Sequence, residues 1–308
     1  VLAVTRYLVG KLTESLLALW GVVTIVFFVS RVLGDPAVLL LPIGAGQQDL
    51  DALRASLGLD RPILEQYLIS VLAMVRGDFG ISFQHQRPAM DVVLERMPVT
   101  VTLAGTALLF GTLIGAAAGA VAALKRGTIS EFIVMVAALL GQATPVFWLG
   151  IMLILVFSVD LGWFPTGGSG TLAHLVLPGL TLSVFVSASI ARLLRSSLLD
   201  IMREDYVRTA RAKGLLPRTV FFWHIGRNAL IPVVTMIGII AGELLGGSVV
   251  IETVFAWPGV GRIIMQAIQA QDFPVIQAGV ALVAAIFIVV NLLVDLLYGV
   301  LDPRIRRR

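Results

Sequence analysis

The sequence predicts an all-α integral membrane protein with six transmembrane helices and both termini in the cytoplasm. Three features predict it. Of 308 residues, 58% are apolar and 14% charged, against about 25% charged in an ordinary soluble domain. Six stretches are long and apolar enough to cross a hydrocarbon core about 30 Å thick, which takes roughly 20 helical residues. The basic residues also lie unevenly: 16 of the 23 Lys and Arg fall on one set of alternating segments. That asymmetry marks the cytoplasmic side. The same composition excludes intrinsic disorder, which needs low hydrophobicity and high charge. With no cysteine in the chain, a disulfide scaffold, a thiolate metal site, an Fe–S cluster and a Cys nucleophile are excluded together.

The spans are expected near residues 9–31, 99–124, 133–158, 171–194, 229–252 and 278–300, within a single transmembrane domain covering 1–308. The first has Arg6 and Lys11 ahead of an apolar run, as a signal peptide would. However, Phe28-Val29-Ser30-Arg31 offers no pair of small residues for cleavage, so a retained anchor is expected. Residues 32–98 are too polar to span and too long for a plain connector. Leu53, Leu57, Leu64, Leu68 and Leu72 suggest short amphipathic helices there, interrupted at Gly58 and Pro62. This extracytoplasmic cap either plugs the bundle or contacts a partner. In the third span Thr144-Pro145 predicts a kink. The 159–170 loop carries no basic residue, and its Gly168-Ser169-Gly170 reads as a turn rather than a nucleophile elbow, which would follow a strand. The fifth span opens with Leu230-Ile231-Pro232, where a first-turn proline costs little.

Residues 195–228, between spans four and five, hold the densest basic cluster. Leu198, Ile201, Met202, Val207 and Ala210 recur at a helical period, predicting a helix over 197–213. Gly214 is a C-terminal stop that favours positive φ, and Pro217 can open a second helix. Such a basic helix–Gly–helix is either an interfacial hairpin held by anionic lipid or an element that docks into a cytoplasmic partner.

The run Asp205-Tyr206-Val207-Arg208-Thr209-Ala210-Arg211-Ala212-Lys213-Gly214, followed by Arg227-Asn228-Ala229-Leu230-Ile231-Pro232, resembles the coupling loop of ABC importer permeases. Arg208, Thr209 and Ala210 stand at the family's Glu-Ala-Ala triplet and Gly214 at its glycine. The leading acid is replaced by arginine, and the Gly-to-Pro interval is the longer form of the dipeptide/oligopeptide/nickel branch. Further segments resemble that branch in order: Gly34-Asp35-Pro36, Leu57-Gly58-Leu59-Asp60, Gly77-Asp78-Phe79-Gly80-Ile81-Ser82, Pro145-Val146-Phe147-Trp148-Leu149-Gly150, Leu161-Gly162-Trp163-Phe164-Pro165 and Phe255-Ala256-Trp257-Pro258-Gly259-Val260-Gly261. The long cap resembles the B-type permease.

The resemblance implies a type I importer permease fold in a bacterial cytoplasmic membrane. It implies a homologous permease as heterodimeric partner, two cytoplasmic ATPase subunits that hold ATP and Mg, and an extracytoplasmic binding protein. On this reading Tyr206, Arg208, Thr209, Ala210, Arg211, Lys213 and Gly214 form the ATPase-coupling loop, while Trp257, Pro258 and Gly259 face the receptor. The cargo implied is a peptide, with nickel or another small solute as the alternative.

No Gly-x-x-x-x-Gly-Lys-Ser/Thr occurs, so the chain carries no P-loop. Energy must then come from separate ATPases or, in the competing reading, from an ion gradient driving a carrier that acts alone. The three histidines, His85, His174 and His224, have no ligand-type neighbour at helical spacing, so neither a metal nor a catalytic role is expected, and nothing points to nucleic acid. Within the spans, Gln142, Glu243, Asn291 and Asp295 are polar. An acid near the bilayer centre costs about 2.5–3.5 kcal/mol on insertion scales. Glu243 and Asn291 are the candidates for a polar pathway or gate, against interhelical hydrogen bonding as the plainer role. Gly242, Gly246 and Gly247 beside Glu243 suggest close packing or a thinned helix.

Overall fold

The computed structural model describes residues 2–33, 37–38, 41, 46–56 and 58–301. Gly34-Asp35-Pro36, Leu57 and the arginines at 304 and 306–308 lie outside the described residues, as do the side chains of Arg6, Gly247 and Asp295. In chain order the helices are α1 (Leu2–Leu33), α2 (Gln47–Ser56), α3 (Ile63–Val75), α4 (Ala89–Leu94), α5 (Met97–Leu124), α6 (Ile129–Ala143) and α7 (Val146–Leu153). They continue with α8 (Leu172–Ile201), α9 (Asp205–Ala212), α10 (Pro217–Thr219), α11 (Arg227–Gly247), α12 (Val249–Val254), α13 (Val260–Gln269) and α14 (Phe273–Leu301). A π-helical stretch, Ile154–Asp160, extends α7, and another, Val220–Gly226, joins α10 to α11. Among the described residues the sole β feature is one antiparallel bridge, Ile81 to Pro88.

Among the described residues, five helical stretches are long and apolar enough to cross a membrane: Thr13–Arg31, Ala89–Leu124, Leu172–Ile201, Pro217–Gly246 and Phe273–Val294. The expected third span differs. Ile129–Ala143 and Val146–Asp160 are bent by 103° at the predicted Thr144-Pro145. A residue before proline is driven from the helical region, and Thr144 is extended at ψ 126°. The fifth span also ends sooner than expected: α11 stops at Gly247, and 249–254 form the separate α12.

The chain divides into two compact units, Val1–Thr100 with Pro258–Ile288, and Val101–Trp257 with Val289–Arg308. In the first, Ala89, Val92 and Val93 of α4 pack with Val260, Ile263, Ile264 and Ala267 of α13 and with Phe273, Val275, Ile276 and Ala278 at the start of α14. Each Val, Ile or Phe side chain fully removed from water contributes about 1.5–3 kcal/mol. A buried carboxylate fixes the loop beside this core: Asp272 accepts hydrogen bonds from Ser82 Oγ (2.5 Å) and the Gln84 amide (3.2 Å). The Val260 amide donates to Thr100 Oγ1 at 2.8 Å.

The second unit is built on α8, whose buried residues run from Leu177 to Leu198. Gly111, Gly115 and Gly119 of α5 lie against it, one helical turn apart. A Cβ built on Gly111 would stand 2.4 Å from Val186 Cβ, and one on Gly115 or Gly119 would stand 2.7 Å from the carbonyl of Ser187 or Ala191. Glycine is needed there because the backbones nearly touch, as in membrane helix pairs joined through small residues. At the other side of α8, the Arg195 guanidinium pairs with Glu131, with Nε to Oε1 at 2.8 Å, and the second Glu131 oxygen accepts the Gly127 amide at 2.5 Å. Arg195, counted above among the basic residues of the loop segment, is therefore an internal tie.

Candidate functional site

The loop after α8 is a compact folded element. The expected helix over 197–213 is two helices: α8 ends at Ile201, and Met202 to Glu204 turn the chain before α9 begins. Glu204 is the N-cap in extended conformation, Asp205 lies in the first turn and Arg211 in the last. Those charges match the helix dipole, which favours acids at the start and bases at the end. At the other end the Leu215 amide donates to the Ala210 carbonyl (3.4 Å) and the Gly214 amide to that of Arg211 (3.0 Å). With Gly214 at φ +75°, this pair of bonds is a Schellman stop. Leu216 then caps the next helix and Pro217 takes its first position.

The same loop is pinned to span five. Asn228 Nδ2 donates to Tyr206 Oη (2.8 Å) and to the His224 carbonyl (3.2 Å), and Tyr206 Oη donates to that carbonyl (3.2 Å). Val207 and Ala210 are buried and face inward, where α9 meets the π-helical 220–226 segment. Tyr206, Arg208, Thr209, Arg211, Lys213 and Gly214 are exposed. Of the expected coupling residues, six therefore form an outward surface, and Ala210 alone is turned into the protein. Its small size serves the packing of α9 on its own chain. Asn228, quoted earlier only as part of a motif, is a structural member of this site. Its spacing of 22 residues from Tyr206 gives no local periodic signal.

From Pro217 through Val220–Gly226 to Gly246 the helical path is continuous. From Asn228 to Glu243 it rises about 22 Å at 1.5 Å per residue. Glu243 is exposed on α11 and Asn291 is half-buried on α14. Gly238 lies against Val294, where an added Cβ would stand 2.2 Å from Val294 Cγ2. The fully buried acid of this region is Glu252, which sequence reasoning passed over; it accepts a hydrogen bond from Ser248 Oγ at 2.9 Å. Only the tertiary fold distinguishes it from Glu243.

Two other motifs meet around Phe255, which is itself buried. A Cβ on Gly150 would stand 3.0 Å from its ring, and the Gly168 amide donates to its carbonyl at 2.8 Å. Gly168 and Gly170 have φ of +94° and +128°, as a turn requires. Of the expected receptor-facing residues, Trp257 and Gly259 are buried and Pro258 is half-buried. Trp257 closes the turn after α12, its amide donating to the Glu252 carbonyl at 2.7 Å. Among the described residues no three His, Asp or Glu side chains gather as a metal site would need. His174 Nδ1 hydrogen-bonds Thr171 Oγ1 at 2.8 Å.

These elements make an all-α, multi-span membrane fold with a basic, folded loop between two of its spans. The chain belongs to the family of inner membrane components of binding-protein-dependent transport systems, within the permease subunits of the peptide/nickel branch of ABC importers. Residues 99–307 match the description "Binding-protein-dependent transport system inner membrane component", and residues 4–104 match the corresponding N-terminal family. It is similar to the glutathione transport system permease protein GsiC of Escherichia coli (strain K12), 43% identical over 302 residues covering 98% of this chain and 99% of that one. The GsiC of Shigella flexneri serotype 5b (strain 8401) shows the same identity and coverage. Among solved structures, the inward-facing MetNI methionine ABC transporter superposes with TM-score 0.56 at 20% identity, covering 69% of this chain and 97% of that chain. An amino acid ABC transporter with histidines gives 0.52 at 18%, covering 70% and 94%. At these identities the structural likeness bears on the fold alone.

Proposed function

We propose that this chain is the channel-forming subunit of an ATP-driven importer of peptides, set in the bacterial inner membrane as a single permease domain with both termini cytoplasmic. It pairs with a homologous permease as a heterodimer and with two ATPase subunits, which hold the ATP and Mg. An extracytoplasmic binding protein delivers the cargo. The peptide class is supported by the likeness, along almost the whole chain, to permeases of glutathione, itself a tripeptide.

The observation that carries the coupling role is the build of the 195–228 loop. Its outer face presents Tyr206, Arg208, Thr209, Arg211, Lys213 and Gly214, and its inner face is locked by Val207, Ala210 and the Tyr206–Asn228 hydrogen bond. A helix fixed at both ends moves as one body. When the ATPase dimer closes, a push on α9 passes through the continuous 217–246 helix into span five, the span that carries Glu243. Glu243 and Asn291 are assigned to the translocation pathway, since an intramembrane acid left exposed in the single chain needs water, cargo or the partner subunit beside it. The chain itself makes and breaks no bond.

Co-purification in mild detergent tests this. The ATPase subunits are expected to remain with the chain through the 195–228 loop, and a complex that forms equally well after that loop is replaced by a flexible linker overturns the assignment.

A further inference from the structure

Helix α3, within the segment expected to form an extracytoplasmic cap, turns its apolar stripe outward. Leu64, Leu68 and Leu72, the residues that predicted an amphipathic helix, are exposed together with Ile63, Ile69 and Val75, and no residue of α3 is buried. Val75 is 81% exposed. The half-buried side carries Gln66, Tyr67 and Ser70 along with Val71, Ala73 and Met74. The Tyr67 hydroxyl shares a hydrogen bond with Thr24 Oγ1 (2.7 Å), and Gln66 Nε2 donates to the carbonyls of Leu59 (3.0 Å) and Arg61 (2.8 Å). A helix with polar groups inside and apolar groups outside is stable where its surroundings are themselves apolar.

Its neighbours fix the depth. The Tyr67 ring stacks on Phe28 with centroids 5.7 Å apart and meets Phe27 edge-on at 5.4 Å. Met74 lines a small void with Val22, Val23, Val26, Val280 and Ala281. All of these lie inside the membrane-crossing stretches Thr13–Arg31 and Phe273–Val294. Val22 is about 13 Å short of Arg31 along α1 at 1.5 Å per residue. The exposed face of α3 also continues the apolar flank of α1, where Ile25, Phe28 and Val29 are exposed. Charge is confined to the ends of α3 and just beyond them. Arg61 pairs with Glu65 at 3.0 Å before the helix settles, and Arg76 and Asp78 flank a glycine stop at Gly77, φ +81°. Thirteen residues rise only about 20 Å, too short to cross a core of about 30 Å.

We propose that α3 is a half-membrane helix. It enters the extracytoplasmic leaflet and returns on the same side, and acyl chains cover Leu64, Leu68, Leu72 and Val75. Part of the 32–98 segment is then a lipid anchor beside span one, which leaves the remainder for contact with water and partners. Long charged side chains at its ends reach back to the headgroups.

The chain has no cysteine, so a nitroxide can be placed at one position without background. Leu68→Cys and Leu72→Cys, at exposed sites where the fold loses no buried contact, would be labelled in the assembled complex in vesicles of phosphatidylethanolamine and phosphatidylglycerol. Collisions with oxygen and with a water-soluble nickel chelate would then be compared. The proposal expects both labels to favour oxygen, as a label at Leu17→Cys within span one does, with the preference reversing at Glu65→Cys. Preference for the chelate at Leu68 and Leu72 places the helix in water and overturns it. An immobilised label shielded from both reagents places a protein partner there and overturns it equally.

Discussion

Gly214 stands at φ +75°, yet nothing lies within 4 Å of where its Cβ would be. Substitution there therefore acts in two ways, neither of them a clash within the chain. A non-glycine residue in this conformation costs roughly 1–2 kcal/mol, which weakens the stop after α9. A side chain would also project from the surface proposed to meet the ATPase. Gly214→Asp adds a negative charge beside Arg211 and Lys213 as well. If the loop couples two sites by about 1–3 kcal/mol, its loss corresponds to a 5- to 150-fold effect. Gly214→Asp is expected to lower ATP-driven uptake within that range while membrane levels of the chain stay normal; immunoblotting and uptake on the same vesicles check it. Tyr206→Phe removes only the hydroxyl that links Asn228 to α9. A net loss of about 1 kcal/mol per hydrogen bond predicts a partial uptake defect and faster hydrogen exchange in α9, read by mass spectrometry, with the spans unchanged.

At the scale of the element, the seam between α5 and α8 carries the second unit. A Gly115→Leu change would force a side chain into the space now held by the Ser187 carbonyl and Ile190 Cβ, 2.7 and 2.9 Å from an ideal Cβ. Overpacking of this kind costs typically 1–3 kcal/mol, and here the obstacle is backbone. The expected result is a lowered thermal midpoint for the detergent-solubilised complex, whereas Gly105→Leu on the same helix, with open space around it, leaves the midpoint in place. The seam was not singled out from the sequence, because small residues are frequent in every span. Span centres were legible, since a run of twenty apolar residues needs no tertiary knowledge. So was the glycine stop at Gly214 with proline restarting the helix, because positive φ and a missing amide are local properties. The size of the bend at Thr144-Pro145 was not, because proline permits a kink whose angle neighbouring helices set. Nor was the orientation of α3, for a related reason: periodicity marks two faces, and the surroundings decide which one is inside. Trp257 and Gly259 were assigned to an outer surface from their place in a motif, and their burial reflects a closed turn after α12. Asp272 and Glu252 escaped notice because their partners, Ser82 in one case and a completed helix turn with Ser248 in the other, are set by folding.

For the whole molecule, the proposed coupling sets the ATPases against the 195–228 loop, where the basic residues assigned to the cytoplasmic side are densest. The structure adds α9, tied through Tyr206 to Asn228 at the base of span five, and a separate helical path, 217–246, that runs without a break into that span. The account therefore stands or falls on dependence. The direct measurement is uptake of radiolabelled peptide into proteoliposomes holding this chain, its partner permease and the two ATPases, with the binding protein supplied outside and ATP sealed within. Uptake is expected only when both binding protein and ATP are present, and it is expected to fall sharply in the Gly214→Asp complex. Peptide uptake by the purified chain alone, driven by an ion gradient and indifferent to ATP, would contradict it.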